Sequence, residues 1–205
     1  MEIRVEGYDI QASAYFGRAS RNLEVAETER KADYFFYAAL EFRNCIERVL
    51  FEYLYLTTGH EDWLPKWEKE YRATRLKDKI LEIEPEFFEK LRFANLQMRV
   101  LGLPQIHIID LDALSRLYGR LGNHLHASKR PDKTSDSPRW WGGLYQLLKE
   151  ARETLLQVFI HPMGFMSLNE RGWQLYRKWR EGSVTDEQVI EEFRRGIFGQ
   201  QGDAA

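Results

Sequence analysis

The sequence holds a single cysteine, Cys45. No internal disulfide can form, and no cluster of thiolates can hold a metal. Cys45 lies among apolar helix positions, which reads as a buried, inert thiol rather than a nucleophile. Proline is also scarce, with six in 205 residues, so few points forbid helix. No uninterrupted apolar run nears the roughly 20 residues that span a bilayer. The first residues, Met1-Glu2-Ile3-Arg4-Val5-Glu6, lack the apolar core of a signal peptide. No membrane partner is expected, and the expected setting is a reducing cytoplasm. Neither sign of charge dominates: 30 Lys and Arg stand against 32 Asp and Glu, a formal net charge of -2. Nucleic acid, if bound, must therefore meet a local patch. The chain shows no phosphate-cradling glycine loop, no serine-histidine-acid array and no zinc-ligand spacing, so neither cofactor nor metal is expected.

What is present is helix-forming sequence. Hydrophobic residues make up 43% and aromatics 14%, enough for one sizeable core, or a core plus an appendage. A first helix is expected from Asp9 or Ile10 to about Ala26. Residues 3–5 alternate and read as a short strand or nothing. The clearest element runs from Glu29 to Thr57, where Phe35, Ala38, Ala39, Phe42, Ile46, Val49, Leu50, Tyr53 and Leu54 recur at steps of three and four. Its Glu41, Arg43, Asn44, Glu47 and Arg48 read as a solvated face with an Arg43–Glu47 pair.

Further helices are expected over about 65–82, from Pro85 to about Val100, from Asp110 (as N-cap) to about Ser128, and over about 139–160. Gly102 and Pro104 break the chain before a short extended piece at Ile106, Ile108 and Ile109. Residues 129–138 read as an exposed loop. Beyond His161-Pro162-Met163-Gly164, the Ser167/Glu170 and Thr185/Gln188 spacings mark two helix starts, for helices over about 168–181 and 185–196. The expected fold is an all-α, up-and-down helical bundle of about five main helices over residues 1–162, with a C-terminal helical hairpin over 163–205. The hairpin's Trp173, Tyr176 and Trp179 serve either core packing or a protein-interaction surface.

The segment 116–126 concentrates the chemistry. Arg116, Arg120, Asn123, His124 and His126 fall within eleven residues, and three of the five histidines lie between positions 107 and 126. Each such group, if buried, needs a partner. On a helix Arg116, Arg120, Asn123 and His124 form one row, with His126 one step around. Arg120 and His126 diverge by about 120° and about 9 Å along the axis. Arginine's planar fork suits phosphate oxygens, and a histidine titrating near neutrality can move a proton to or from a ribose hydroxyl. Gly119 and Gly122 are costly in a helix interior and permit a close approach. Lys129, Arg130 and Lys133 follow directly, with Trp140 and Trp141 beyond, a pattern that suits single-stranded RNA or an ordinary solvated loop. His124, His126 and Asn123 also suit plain capping and inter-helix hydrogen bonds. His107 is expected to pack locally, and His60 and His161 to satisfy carbonyls at element ends.

At this segment the chain resembles the HEPN superfamily. Arg120 and His126, with five residues between them, fit the family's arginine-to-histidine hallmark, and Gly122-Asn123…His126 is similar to its non-enzymatic or uncharacterised branches. The helix carrying Ala38 to Arg48 resembles the family's early core helix. The resemblance covers roughly residues 30–160. It implies an all-helical, usually dimeric domain, and in many members metal-independent cleavage of RNA in defence and toxin–antitoxin systems. On that reading His126 is general base or acid, Arg120 stabilises phosphate charge, and Asn123 or His124 orients them. Arg116, Lys129, Arg130 and Lys133 would bind RNA, and an antitoxin or other complex partner is implied. Leu121 departs from the polar residue that active members carry there. The competing expectation is a non-catalytic helical interaction or regulatory module; a small-molecule pocket between helices is a third.

Overall fold

The computed structural model describes residues 11–58, 72–126, 138–161 and 168–198. Its helices are α1 (Ala12–Glu29), α2 (Ala32–Thr58), α3 (Ala73–Ile83), α4 (Phe87–Val100), α5 (Leu111–Leu125), α6 (Pro138–Phe159), α7 (Glu170–Arg180) and α8 (Asp186–Phe198). The protein is all-helical, with no strand among the described residues. Residues 3–5, the first part of the helix expected from 65, His60 and Ser167 lie outside the described residues.

The chain divides into two compact units, Met1–Ile83 with Asp110–Phe159, and Glu84–Ile109 with Ile160–Ala205. In the first, α1 and α2 form the most extensive helix pair, and α2 also packs on α3, α5 and α6. α1 can lie close to α2 because Ala12, Ala19 and Ala26 recur every seven residues on its buried side, beside Leu23. The stripe on α2 is buried from Ala38 to Leu54 as its spacing demands, while Phe35 is half-buried. The polar side of α2 differs from expectation. Glu41, Arg43, Asn44, Glu47 and Arg48 are all half-buried rather than solvated. Arg18 Nε donates to Glu41 at 3.0 Å, and the Ala12 N–H, at the start of α1, donates to Glu52 at 3.1 Å. Cys45 is buried, its thiol 3.3 Å from the Ala12 carbonyl and pushed well up in pKa, chiefly by burial.

In the second unit α4 packs on α8, and α7 on α8. Phe93 and Leu96 of α4 are buried with Tyr176 and Val189, and Trp173, Trp179 and Phe193 surround them. The aromatic face of the C-terminal helices is thus core, and 84–109 joins 160–205 rather than the first unit. The Tyr176 hydroxyl donates to Glu86 at 2.8 Å, and burial pushes its pKa to about 12. The extended piece before Asp110 is held by side-chain pairing, not by a sheet: Asn95 accepts from the Ile106 N–H at 2.7 Å and donates to its carbonyl at 2.8 Å. α7 is capped by Asn169, which accepts from the Gly172 N–H at 2.9 Å. The start of α8 carries the expected capping box, with Thr185 N–H donating to Gln188 at 2.8 Å.

Candidate functional site

α5 begins where the sequence places it. Asp110 accepts from the Ala113 N–H at 2.8 Å and ends the extended segment. Leu111, Leu114, Leu117 and Leu121 occupy the buried side of the helix, so Arg116, Arg120 and Asn123 are carried to the solvent side, where all three are exposed. His126 is the C-cap, also exposed, with its backbone N–H bonded to the Gly122 carbonyl at 2.9 Å. None of the described polar or charged residues is fully buried.

The side chains of the row have separate neighbours. Arg116 Nη2 lies 3.8 Å from Asp110, both well exposed. Arg120 Nη1 pairs with Glu150 of α6 at 2.6 Å, and both side chains are about half exposed, at 52% and 49%. His124 is half-buried, with its ring centroid 5.1 Å from that of Trp140. Its Nδ1 is buried and finds no hydrogen-bond partner among the described residues. Burial, then the nearby Arg120 charge, hold its pKa below the ordinary 6.5, so the ring is neutral at pH 7 and keeps a lone pair for a proton. Asn123 and His126 make no side-chain hydrogen bond with another described residue. Arg120 and His124 are therefore neighbours, whereas no contact joins Arg120 to His126. Lys129, Arg130 and Lys133 lie outside the described residues.

No other backbone of the described residues lies against the glycines of α5. A Cβ at Gly119 would meet nothing within 4 Å, and one at Gly122 would touch the Arg43 guanidinium at 3.8 Å. That arginine belongs to a cluster the sequence reading missed. Arg43 Nη2 donates to the Tyr118 hydroxyl at 2.5 Å, and its guanidinium carbon lies 4.4 Å from the Tyr118 ring centroid. Tyr118 in turn donates to Glu47. Burial raises the Glu47 pKa, against the opposing effects of Tyr118 and Arg43. Arg43 and Glu47 thus meet at the Tyr118 hydroxyl rather than in a direct ion pair, and this joins α2 to α5. The available signal was an aromatic and a glycine four apart on the same edge of α5, opposite a polar run on α2.

In the second unit His107 and His161 stack, with centroids 5.7 Å apart and planes 22° apart. His161 Nδ1 lies 3.1 Å from the Gln105 carbonyl, the role expected of an imidazole at an element end. Burial first, and His161 second, lower the His107 pKa. Among the described residues no three metal-ligating side chains converge, and no helix is long and apolar enough to cross a membrane. Comparison of the chain with known protein families, curated proteins and solved structures finds no match.

Proposed function

We propose that the chain is an HEPN-like RNA-binding protein whose α5 row grips a phosphodiester backbone. The observation that carries this reading is the exposure of Arg116, Arg120, Asn123 and His126 along one helix, with the half-buried His124 one turn from Arg120. A row that packing alone explained would be buried and mutually satisfied. Glu150 does not close the site. A half-exposed ion pair is worth only about 0.2–1 kcal/mol, so a phosphate can replace the carboxylate on Arg120 at small cost. The basic residues Lys129, Arg130 and Lys133 follow the row in sequence. The up-and-down arrangement of about five main helices with a C-terminal hairpin, expected from the helical pattern, belongs to the same reading, and the resemblance adds a homodimer that brings two rows into one cleft in a defence or toxin–antitoxin setting.

On this reading Arg120 takes the phosphate, and an imidazole moves the proton. His126 is the proton-transfer group that the family spacing indicates, and His124 sits nearer to Arg120. Purified protein incubated with single-stranded RNA in EDTA tests this directly. Cleavage that is lost in His126→Ala makes the protein a metal-independent endoribonuclease. Binding without cleavage leaves the RNA-binding reading, and binding unaffected by loss of Arg116 and Arg120 ends it. A second reading, a non-catalytic helical interaction module, is favoured by the partners that Arg120 and His124 already have in Glu150 and Trp140. Glu150→Gln separates the two. It frees Arg120, so RNA binding should tighten about threefold or more if phosphate is the ligand, and should not change if the pair is scaffold.

A further inference from the structure

The end of α1, the start of α2 and the first turns of α6 border a shallow, open hollow of about 520 Å³, lined by Glu27, Arg30, Phe35, Trp141 and Tyr145 among others. Sites for small ligands span about 300–1,000 Å³. Its walls are aromatic. Phe35 lies 6.2 Å from Trp141 and 6.1 Å from Tyr145, centroid to centroid, the second pair edge-on. All three rings are half-buried, so each keeps some surface open to solvent.

Charge of both signs stands at the rim. Glu27 accepts the Tyr145 hydroxyl at 2.8 Å on one oxygen, which orients the carboxylate. Arg30 ends α1 with φ 54 and ψ 36, the left-handed conformation at which helices ordinarily finish on glycine. A long cation thus occupies a position that local backbone preference would give to glycine. A chain of ring contacts links the wall of the hollow to the α5 row. Trp141 stacks edge-on against Trp140 at 4.7 Å, and Trp140 contacts His124 at 5.1 Å.

We propose that this hollow binds a guanine nucleotide, with the base stacked on Trp141, its N1–H and exocyclic amine donating to Glu27, and its phosphate paired with Arg30. The fit is chemical. A carboxylate only accepts hydrogen bonds, and the guanine edge presents two adjacent donors, whereas the adenine edge sets an acceptor beside its amine. Aromatic faces hold any base, so the rings give affinity and Glu27 gives the choice. The inference rests on the RNA-binding reading in one respect, the source of the nucleotide, which is either part of a strand or free.

The test titrates the full chain with guanosine, adenosine and cytidine monophosphates, followed by tryptophan fluorescence, and in parallel with a short guanine-containing RNA. The expected result is saturable binding with guanosine monophosphate preferred over adenosine monophosphate by at least about fivefold. Glu27→Gln should erase that preference. Arg30→Gly should weaken guanosine monophosphate by at least about fivefold. It should leave the melting temperature unchanged or raised, because glycine suits that backbone. No saturable binding of any mononucleotide overturns the proposal, as does binding that both variants retain unchanged. Binding of mononucleotide without RNA supports the hollow and removes the RNA-binding reading. Binding of RNA equally by wild type and Arg30→Gly, without mononucleotide, does the reverse.

Discussion

Gly119 and Gly122 sit in α5 at positions where most residues would make a better helix. Neither is needed for a close backbone approach: Gly119 faces open space, and Gly122 faces the flexible end of Arg43. Gly119→Ala should therefore stabilise the protein by about 0.5–1 kcal/mol, a rise of about 1–4 °C in melting temperature. A fall would mean that the glycine has a backbone role. Cys45 makes a second residue-scale case. Its thiol is buried, and burial raises its pKa well above the ordinary 9.0, so the reactive thiolate is scarce. A thiol-modifying disulfide reagent should leave the folded chain untouched and react stoichiometrically once denaturant is added. The inert character of this cysteine was legible in the sequence, because Cys45 stands three residues after Phe42 and four before Val49, within the apolar stripe. The Arg120–Glu150 pair was not legible, because Glu150 lies thirty residues away and only the packing of α6 on α5 brings it near.

Helices were read best where one apolar stripe decides them. The Phe42–Leu54 stripe fixes the buried side of α2, and the four leucines of α5 fix which of its residues meet solvent. What lies opposite a polar face is a different matter. Glu41, Arg43, Glu47 and Arg48 read as solvated because charged residues usually are, yet α1 and Tyr118 of α5 cover much of them. Periodicity reports the face that needs burial and is silent about a polar face that finds partners. The same limit applies to α4, whose Phe93 and Leu96 pack with Tyr176 and Val189 some eighty to a hundred residues on. Ends were more readable, since caps are local: Asp110 and the Thr185/Gln188 box stand where the sequence sets them. α7 is capped by Asn169, while Ser167 of the other expected box lies outside the described residues. Asp110→Ala should cost about 1 kcal/mol, seen as a drop of about 2–4 °C in melting temperature, by exposing the first-turn N–H groups of the site helix.

At the scale of the whole molecule, two half-buried histidines, one in each compact unit, give stability a pH dependence. His124 and His107 both have pKa values held below the ordinary 6.5 in the fold, mainly by burial. The unfolded chain therefore takes up protons first as pH falls. Their contribution is fully present above the unfolded value of about 6.5 and is lost as pH drops through the lowered folded values. The melting temperature should fall on acidification from about pH 7.5 to about pH 5.5, and the double variant His107→Gln/His124→Gln should flatten that fall. An unchanged slope would show that these imidazoles are equally hydrated in both states.

The near-balanced total charge leaves binding to local surfaces, and α5 presents the clearest one. The direct measurement is the affinity of the full chain for single-stranded RNA over a range of salt, for wild type and for the double variant Arg116→Ala/Arg120→Ala. Two phosphate contacts account for about 1.4 in the slope of log affinity against log salt for a single strand. The variant should bind more weakly with its slope shallower by about that amount. Equal slopes, or no binding by the wild type at low salt, would contradict the account.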